Sequence, residues 1–258
     1  VKIGIGKMII KNSIIPISLI LFFFIYGCEG EEFSFPKPKS GEADGVFISE
    51  YREIIVGDSK YMADFGTITV KENRGGDSSR FINLPVIRIH SGSGKVNTPL
   101  FFFTGGPGMS NIAGLENMWY IMPEHDVVIV GFRGVDGSSI LDCPEVKEAM
   151  KGEGDLFSSS SMNKIAAAWQ ASVHRLSEEG IDINGYTILD VIQDNELVRN
   201  ALGYDKINLA SGSYGTRVAY YYGLLHPDVI NRSVLQAVNP PGHFIWDAKI
   251  IDMQLKYF

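Results

Sequence analysis

No period of repeat length recurs along these 258 residues, and no stretch is of low complexity, which excludes solenoids and tandem arrays. Basic charge is in short supply: 23 Lys and Arg stand against 30 Asp and Glu, a net charge of −7. A nucleic-acid partner is therefore not expected, because phosphate binding calls for a basic patch. The acids are scattered rather than gathered in a tail and read as a solvated surface. Cysteine is scarcer still, with Cys28 and Cys143 alone, and there are only five histidines. What remains is ordinary globular composition, 45% hydrophobic and 21% charged, enough for a sizeable core.

The N-terminus has a different texture. Lys2, Lys7 and Lys11 precede an apolar run from Ile14 to Gly27 that ends at Cys28. A basic segment followed by a short apolar run is the pattern of an export signal, and the run is short for a spanning helix. With a cysteine directly after it, the segment resembles a bacterial lipoprotein signal, in which Cys28 is lipidated and becomes the new N-terminus. Ile25 and Tyr26 depart from the Leu and Ala or Ser usual there, so a plain signal peptide or an uncleaved anchor stays open. Met8 is the expected translation start. Residues 1–27 read as the signal, and 28–45, polar with Pro and Gly, as a tether. Removing the signal takes away three lysines and no acids, leaving 20 basic against 30 acidic residues, net −10. The expected location is the bacterial cell envelope, through a lipid anchor in a membrane. In an exported protein Cys143 is then a thiol missing its partner or a buried free one.

Beyond the tether, 50–56, 65–73 and 84–91 are β-rich segments between Gly, Asn and Ser turns, as expected of an antiparallel start to a sheet. The segments 99–106 and 126–132 are near-continuous apolar runs, the mark of strands covered on both faces. Two helices follow. The first, 161–180, should pack through Ile165, Ala168, Trp169, Val173 and Leu176, and the second is 187–203. Then come a buried strand at 206–211, a helix at 214–226 stopped by Pro227, and a strand at 231–238. Strands alternating with helices predict an α/β domain, a mostly parallel mixed sheet with helices on both faces. Ligands of such sheets sit beyond the carboxyl ends of the strands.

Ser213 falls at a strand-to-helix junction. A nucleophile on so tight a turn needs small neighbours two residues to either side, the G-x-S-x-G pattern. Here the string is Ser211-Gly212-Ser213-Tyr214-Gly215, with serine in place of the first glycine. Upstream, "TGGPGMSN" (104–111) follows an apolar strand, and its glycines leave backbone N–H groups free to face a ligand. For acyl transfer, one oxyanion donor would be the N–H of Gly105 or Gly106 and the other that of Tyr214. A phosphate loop is disfavoured, since neither the Gly-Lys-Ser/Thr ending nor G-x-G-x-x-G spacing is present.

Together "GGPGMSN", "VVIVGFRGVDGSS" and "LGYDKINLASGSYGTRVAYYYGLLHPDVINRSVLQAVNPPG" resemble the proline iminopeptidase and tripeptidyl aminopeptidase branch of the α/β-hydrolases. That family typically has His-Gly-Gly-Pro-Gly, Asp-Gln-Arg-Gly and a Gly-x-Ser-Tyr-Gly-Thr elbow. Thr104, Gly131-Phe132 and Ser211 depart from it. The resemblance implies a serine hydrolase that releases N-terminal residues or short peptides from a peptide substrate, with Ser213 attacking the carbonyl and no metal or cofactor. Arg133 is expected to shape the oxyanion loop by hydrogen bonding.

The acid and histidine of the triad come later in this fold, in the order Ser, Asp or Glu, His. His90, His125 and His174 precede Ser213, His226 ends the helix that follows it, and His243 lies in a loop after "NPPG". Asp190 and Asp194 share a helix with Arg199 and read as solvated salt bridges. The sequence is thus expected to be the N-terminal part, 46–245, of an α/β-hydrolase lacking the cap and last strands, with 246–258 opening a cap. Without a base Ser213 is a poor nucleophile, so such a chain should be inactive, and poorly soluble through its exposed sheet edge. An esterase of small acyl esters, or a lipid-anchored binding protein on a hydrolase scaffold, remain as alternatives.

Overall fold

The computed structural model describes residues 33–39, 43–76, 79–95, 97–118, 124–151, 155–242, 252–253 and 256. The signal segment, Cys28, His243 and most of 246–258 lie outside the described residues. From Ser34 onward the chain forms one compact unit.

Its centre is a seven-stranded sheet in the order β1-β2-β3-β5-β4-β6-β7. Strands β1 (Phe47–Val56), β2 (Ser59–Lys71) and β3 (Phe81–Ile89) form an antiparallel meander, with Val56 opposite Ser59 across a tight turn. Gly57 supplies the positive φ of 60° that this turn requires. The meander joins β5 (Val127–Val130) antiparallel, and from there β4 (Leu100–Phe103), β6 (Ile207–Gly212) and β7 (Ile230–Gln236) run parallel. All eight residues of β4 and β5 are buried, as their unbroken apolar runs require. β4 is shorter than the 99–106 run, because the chain turns at Thr104.

Helices α1 (Pro144–Ala149), α2 (Ser159–Glu178), α3 (Ile188–Ala201) and α4 (Tyr214–Leu225) complete the unit. α3 and α4 pack on one face of the sheet, where Ile192, Val198, Val218, Ala219 and Tyr222 share a core with Phe101, Phe103, Val128, Val130 and Leu209. On the opposite face a 3-10 helix at Ile112–Met118 lies over Phe102, so close that a Cβ on Gly114 would come within 2.8 Å of the Phe102 ring. Helix α3 starts as expected, Thr187 accepting the Asp190 N–H, whereas α2 starts before Ser161, capped by Ser158, which accepts the Ser161 N–H.

Two expectations are corrected. Of the α2 residues assigned to the core only Leu176 is buried, together with Ser172; Trp169 and Val173 are exposed. Its periodic apolar stripe has no layer to pack against among the described residues beyond α1 and the short 3-10 turn at Ile183–Gly185. Nor is Asp194 a surface group paired with Arg199. It is buried and bound to Arg133 and Arg74, while Arg199 pairs with Glu196. The short helix α1 was not foreseen. Within the stretch read as a tether, Ser34 accepts from Arg52 at 2.9 Å, Pro36 O from Thr67 at 2.7 Å, and Phe35 packs on Phe65. Among the described residues β7 is one of the two edge strands, opposite β1, and its Asn231, Arg232, Ser233 and Val234 are all exposed.

Candidate active site

β4 and β6 are parallel neighbours whose onward connections leave to opposite faces: the loop after β4 leads to the 3-10 helix, and β6 leads into α4. A crevice opens where two adjacent connections diverge, at the carboxyl ends of the strands. Ser213 stands there, with φ 47° and ψ −116°, one of two described non-glycine residues with positive φ. That backbone is strained for an L-residue and follows from joining strand to helix in a single step. Ser213 sits at the N-cap of α4, yet its side chain makes no capping bond and is exposed, so the hydroxyl is turned outward from the helix it begins.

The turn is held from several sides. The Ser213 N–H donates to Gln236 O at 2.9 Å at the end of β7. Thr216 returns its hydroxyl to Ser213 O at 2.6 Å and accepts the Asn239 N–H at 2.9 Å, and Arg217 reaches Asn239 Oδ1 at 2.8 Å. Gly215 is obligatory here: a Cβ would lie 2.2 Å from Phe103 O and 2.6 Å from Thr104 O, so only a glycine lets α4 start against β4. At the other flank Ser211 fits in place of glycine at a cost, because its buried Oγ has no hydrogen-bond partner.

The glycine loop follows β4 and turns beside Ser213. A Cβ on Gly105 would sit 2.9 Å from Ser213 Cβ, so Gly105 is pressed against Ser213. Gly106 has φ 79°, which turns the chain back over Met109. The Gly105, Gly106 and Tyr214 N–H groups donate to no partner among the described residues. Tyr214 packs its ring edge-on against Phe132, and burial pushes its phenol pKa up.

Arg133 does not shape this loop. Its guanidinium is buried on the far side of the β5 turn, where it donates to Asp194 Oδ2 at 2.7 Å and Oδ1 at 2.6 Å, to Glu72 O at 2.6 Å, to Lys71 O and to Gly185 O. It ties β2, the 3-10 turn at 183–185 and α3 together. Burial pushes the Asp194 carboxyl up, against the pull of Arg133 and Arg74.

No described histidine stands near Ser213. His90 and His125 lie at the opposite end of the sheet, beside Asp64 and Thr98 O. His174 is exposed on α2 next to Glu178. His226 follows twelve residues of α4, about 18 Å along the helix axis, and contacts Gln193. Cys143 precedes α1 as a half-buried free thiol. Among the described residues no group of three or more His, Cys, Asp or Glu could hold a metal ion, and no helix is long and apolar enough to cross a membrane.

A serine on a tight strand-to-helix turn of a mostly parallel sheet is the elbow geometry of a hydrolase fold, and the comparison with known families agrees. The family described as alpha/beta hydrolase fold matches residues 98–258. The chain belongs to that family. It is similar to the tripeptidyl aminopeptidases of Streptomyces lividans, 29% identical over 170 residues, and Streptomyces coelicolor, 28% identical over 170 residues. Each match covers 61% of this chain, and the chain spans about a third of the length of these relatives, 32% and 31%. Among solved structures a variant of the Vigna radiata epoxide hydrolase matches at 14% identity with a TM-score of 0.42, over 81% of this chain and 45% of that one.

Proposed function

We propose that this chain carries the nucleophile half of a serine hydrolase of the aminopeptidase type. The observation that carries the reading is the strained, exposed Ser213 at the β6–α4 junction with Gly105 against it. A peptide carbonyl lying in the crevice would be attacked by Ser213 Oγ, forming a C–O bond as the carbonyl π-pair moves onto oxygen. The Tyr214 N–H, at the positive end of α4, and the N–H of Gly105 or Gly106 would hold that oxyanion. The hydroxyl proton needs a base to receive it, and the leaving amine an acid to return it. No described imidazole reaches Ser213, so base and acid come from outside the described residues. The peptide substrate with a free N-terminus rests on the similarity to tripeptidyl aminopeptidases.

The test is the protein expressed from its own gene, assayed on a tripeptide p-nitroanilide with a free amino terminus. Turnover that Ser213→Ala abolishes is expected. Ser213-dependent turnover confined to short acyl esters would favour the esterase reading. Peptide binding without turnover would favour a binding protein on the hydrolase scaffold. We further propose export and lipid attachment at Cys28, tested by incorporation of labelled palmitate that Cys28→Ala removes.

A further inference from the structure

Glycines make the loop after β4 able to present its amides, but they do not hold it still. The holding falls to Asn111, which is fully buried where β4 and β5 part. The two strands pair only at Leu100–Val127 and Phe101–Val128. Beyond that point the Asn111 amide bridges them, donating to Phe102 O at 3.0 Å and Val130 O at 2.8 Å. Its Oδ1 accepts the Thr104 N–H at 2.8 Å, which fixes the residue just before Gly105.

Asn111 is in turn held by Asp136, from the turn after β5. Asp136 Oδ2 accepts the Asn111 N–H at 3.0 Å and the Phe132 N–H at 2.8 Å, and Oδ1 accepts the Ser110 hydroxyl at 2.5 Å. Three donors converge on one carboxylate, a group with acceptors only, and so clamp the loop after β4 to the loop after β5. The seat for that carboxylate exists because residue 131 has no side chain. A Cβ on Gly131 would lie 2.6 Å from Asp136 Cβ and 2.7 Å from Pro85 Cγ.

We propose that Asp136 is a positioning residue of the oxyanion cradle, acting through Asn111 on Thr104 and Gly105, in a seat that only glycine at 131 leaves open. The proposal rests on the reading of Ser213 as nucleophile. Burial pushes the Asp136 carboxyl up while its donors pull it down, as expected of a charge kept in the interior for the bonds it accepts.

The test compares wild type, Asp136→Ala, Asp136→Asn and Gly131→Ala in two measurements. The first is kcat and KM on the peptide substrate. Asp136→Ala should lower kcat about 10- to 100-fold, less than losing an oxyanion donor outright, with KM within about threefold. Asp136→Asn, whose carbonyl oxygen still accepts both amides, should recover most of that loss. Gly131→Ala should resemble Asp136→Ala although the carboxylate is still present. The second measurement is amide hydrogen exchange. In Asp136→Ala, exchange at Asn111 and Phe132 should rise at least about tenfold while β2 and β3 keep their protection. Unchanged kcat and exchange in Asp136→Ala would overturn the proposal, as would a rise in exchange spread evenly over the sheet. If wild type shows no Ser213-dependent turnover, the proposed function fails, and the exchange pattern alone then decides the role of Asp136.

Discussion

Replacing Ser213 with glycine should make the protein more stable while removing the proposed nucleophile. A non-glycine residue held at φ 47° and ψ −116° stores about 1–3 kcal/mol of backbone strain. Glycine releases that strain but widens the unfolded ensemble, at a cost of roughly 0.5–1 kcal/mol. At the middle of both ranges the expected net gain is about 1 kcal/mol, and no capping bond is lost, since the Ser213 side chain makes none. In a domain of this size 1 kcal/mol moves Tm by roughly 2–4 °C, so Ser213→Gly should melt about 2–4 °C higher than wild type. Ser213→Ala keeps its Cβ and the strain, and should melt within about 1 °C of wild type. Both should lack turnover, so the pair separates the stability of the elbow from its chemistry. Thermal unfolding followed by circular dichroism at one scan rate decides it. A glycine variant no more stable than the alanine variant would refute the claim that the turn is strained.

Three further outcomes follow from the interior. Asp194→Ala leaves the buried Arg133 guanidinium without its carboxylate and should cost about 3–5 kcal/mol, read from urea unfolding; Arg133→Met with Asp194→Leu should cost less than Asp194→Ala alone. Ser211→Ala removes a buried hydroxyl that has no partner and should raise stability by about 1 kcal/mol; a loss instead would mean that the hydroxyl is satisfied. Burial pushes the Glu72 carboxyl up, but hydrogen bonds from Arg80, Tyr186 and the Asp182 N–H outweigh it, and its pKa lies below 4.5. A lowered pKa contributes stability above the unfolded value and loses it as pH falls through the folded one. Glu72→Gln should therefore flatten the loss of stability below about pH 4.5, seen in melts across that range.

What was legible in the sequence was local. A strand, a small-residue turn and a helix occupy consecutive residues, so Ser213 and its flanking glycine could be placed without knowing the rest of the fold. Runs such as "LFFF" and "VVIV" could be read as doubly covered strands because their neighbours along the chain offer no polar face. The readings that failed depended on residues far apart. Arg133 meets Asp194 across 61 positions, and no helical spacing predicts that pairing. The apolar stripe of α2 says which face would pack, not whether a layer exists to receive it. Asn111 and Asp136 stood inside the quoted motifs and still carried no signal, since an asparagine and an aspartate near glycines read as ordinary turn residues. Only the splaying of β4 from β5 gives them work, because it strands two carbonyls that a buried amide must satisfy. That same requirement ties the departure at Gly131 to the aspartate five residues on. An empty side-chain position, which looked like a defect in the motif, is what lets a carboxylate reach the loop that faces Ser213.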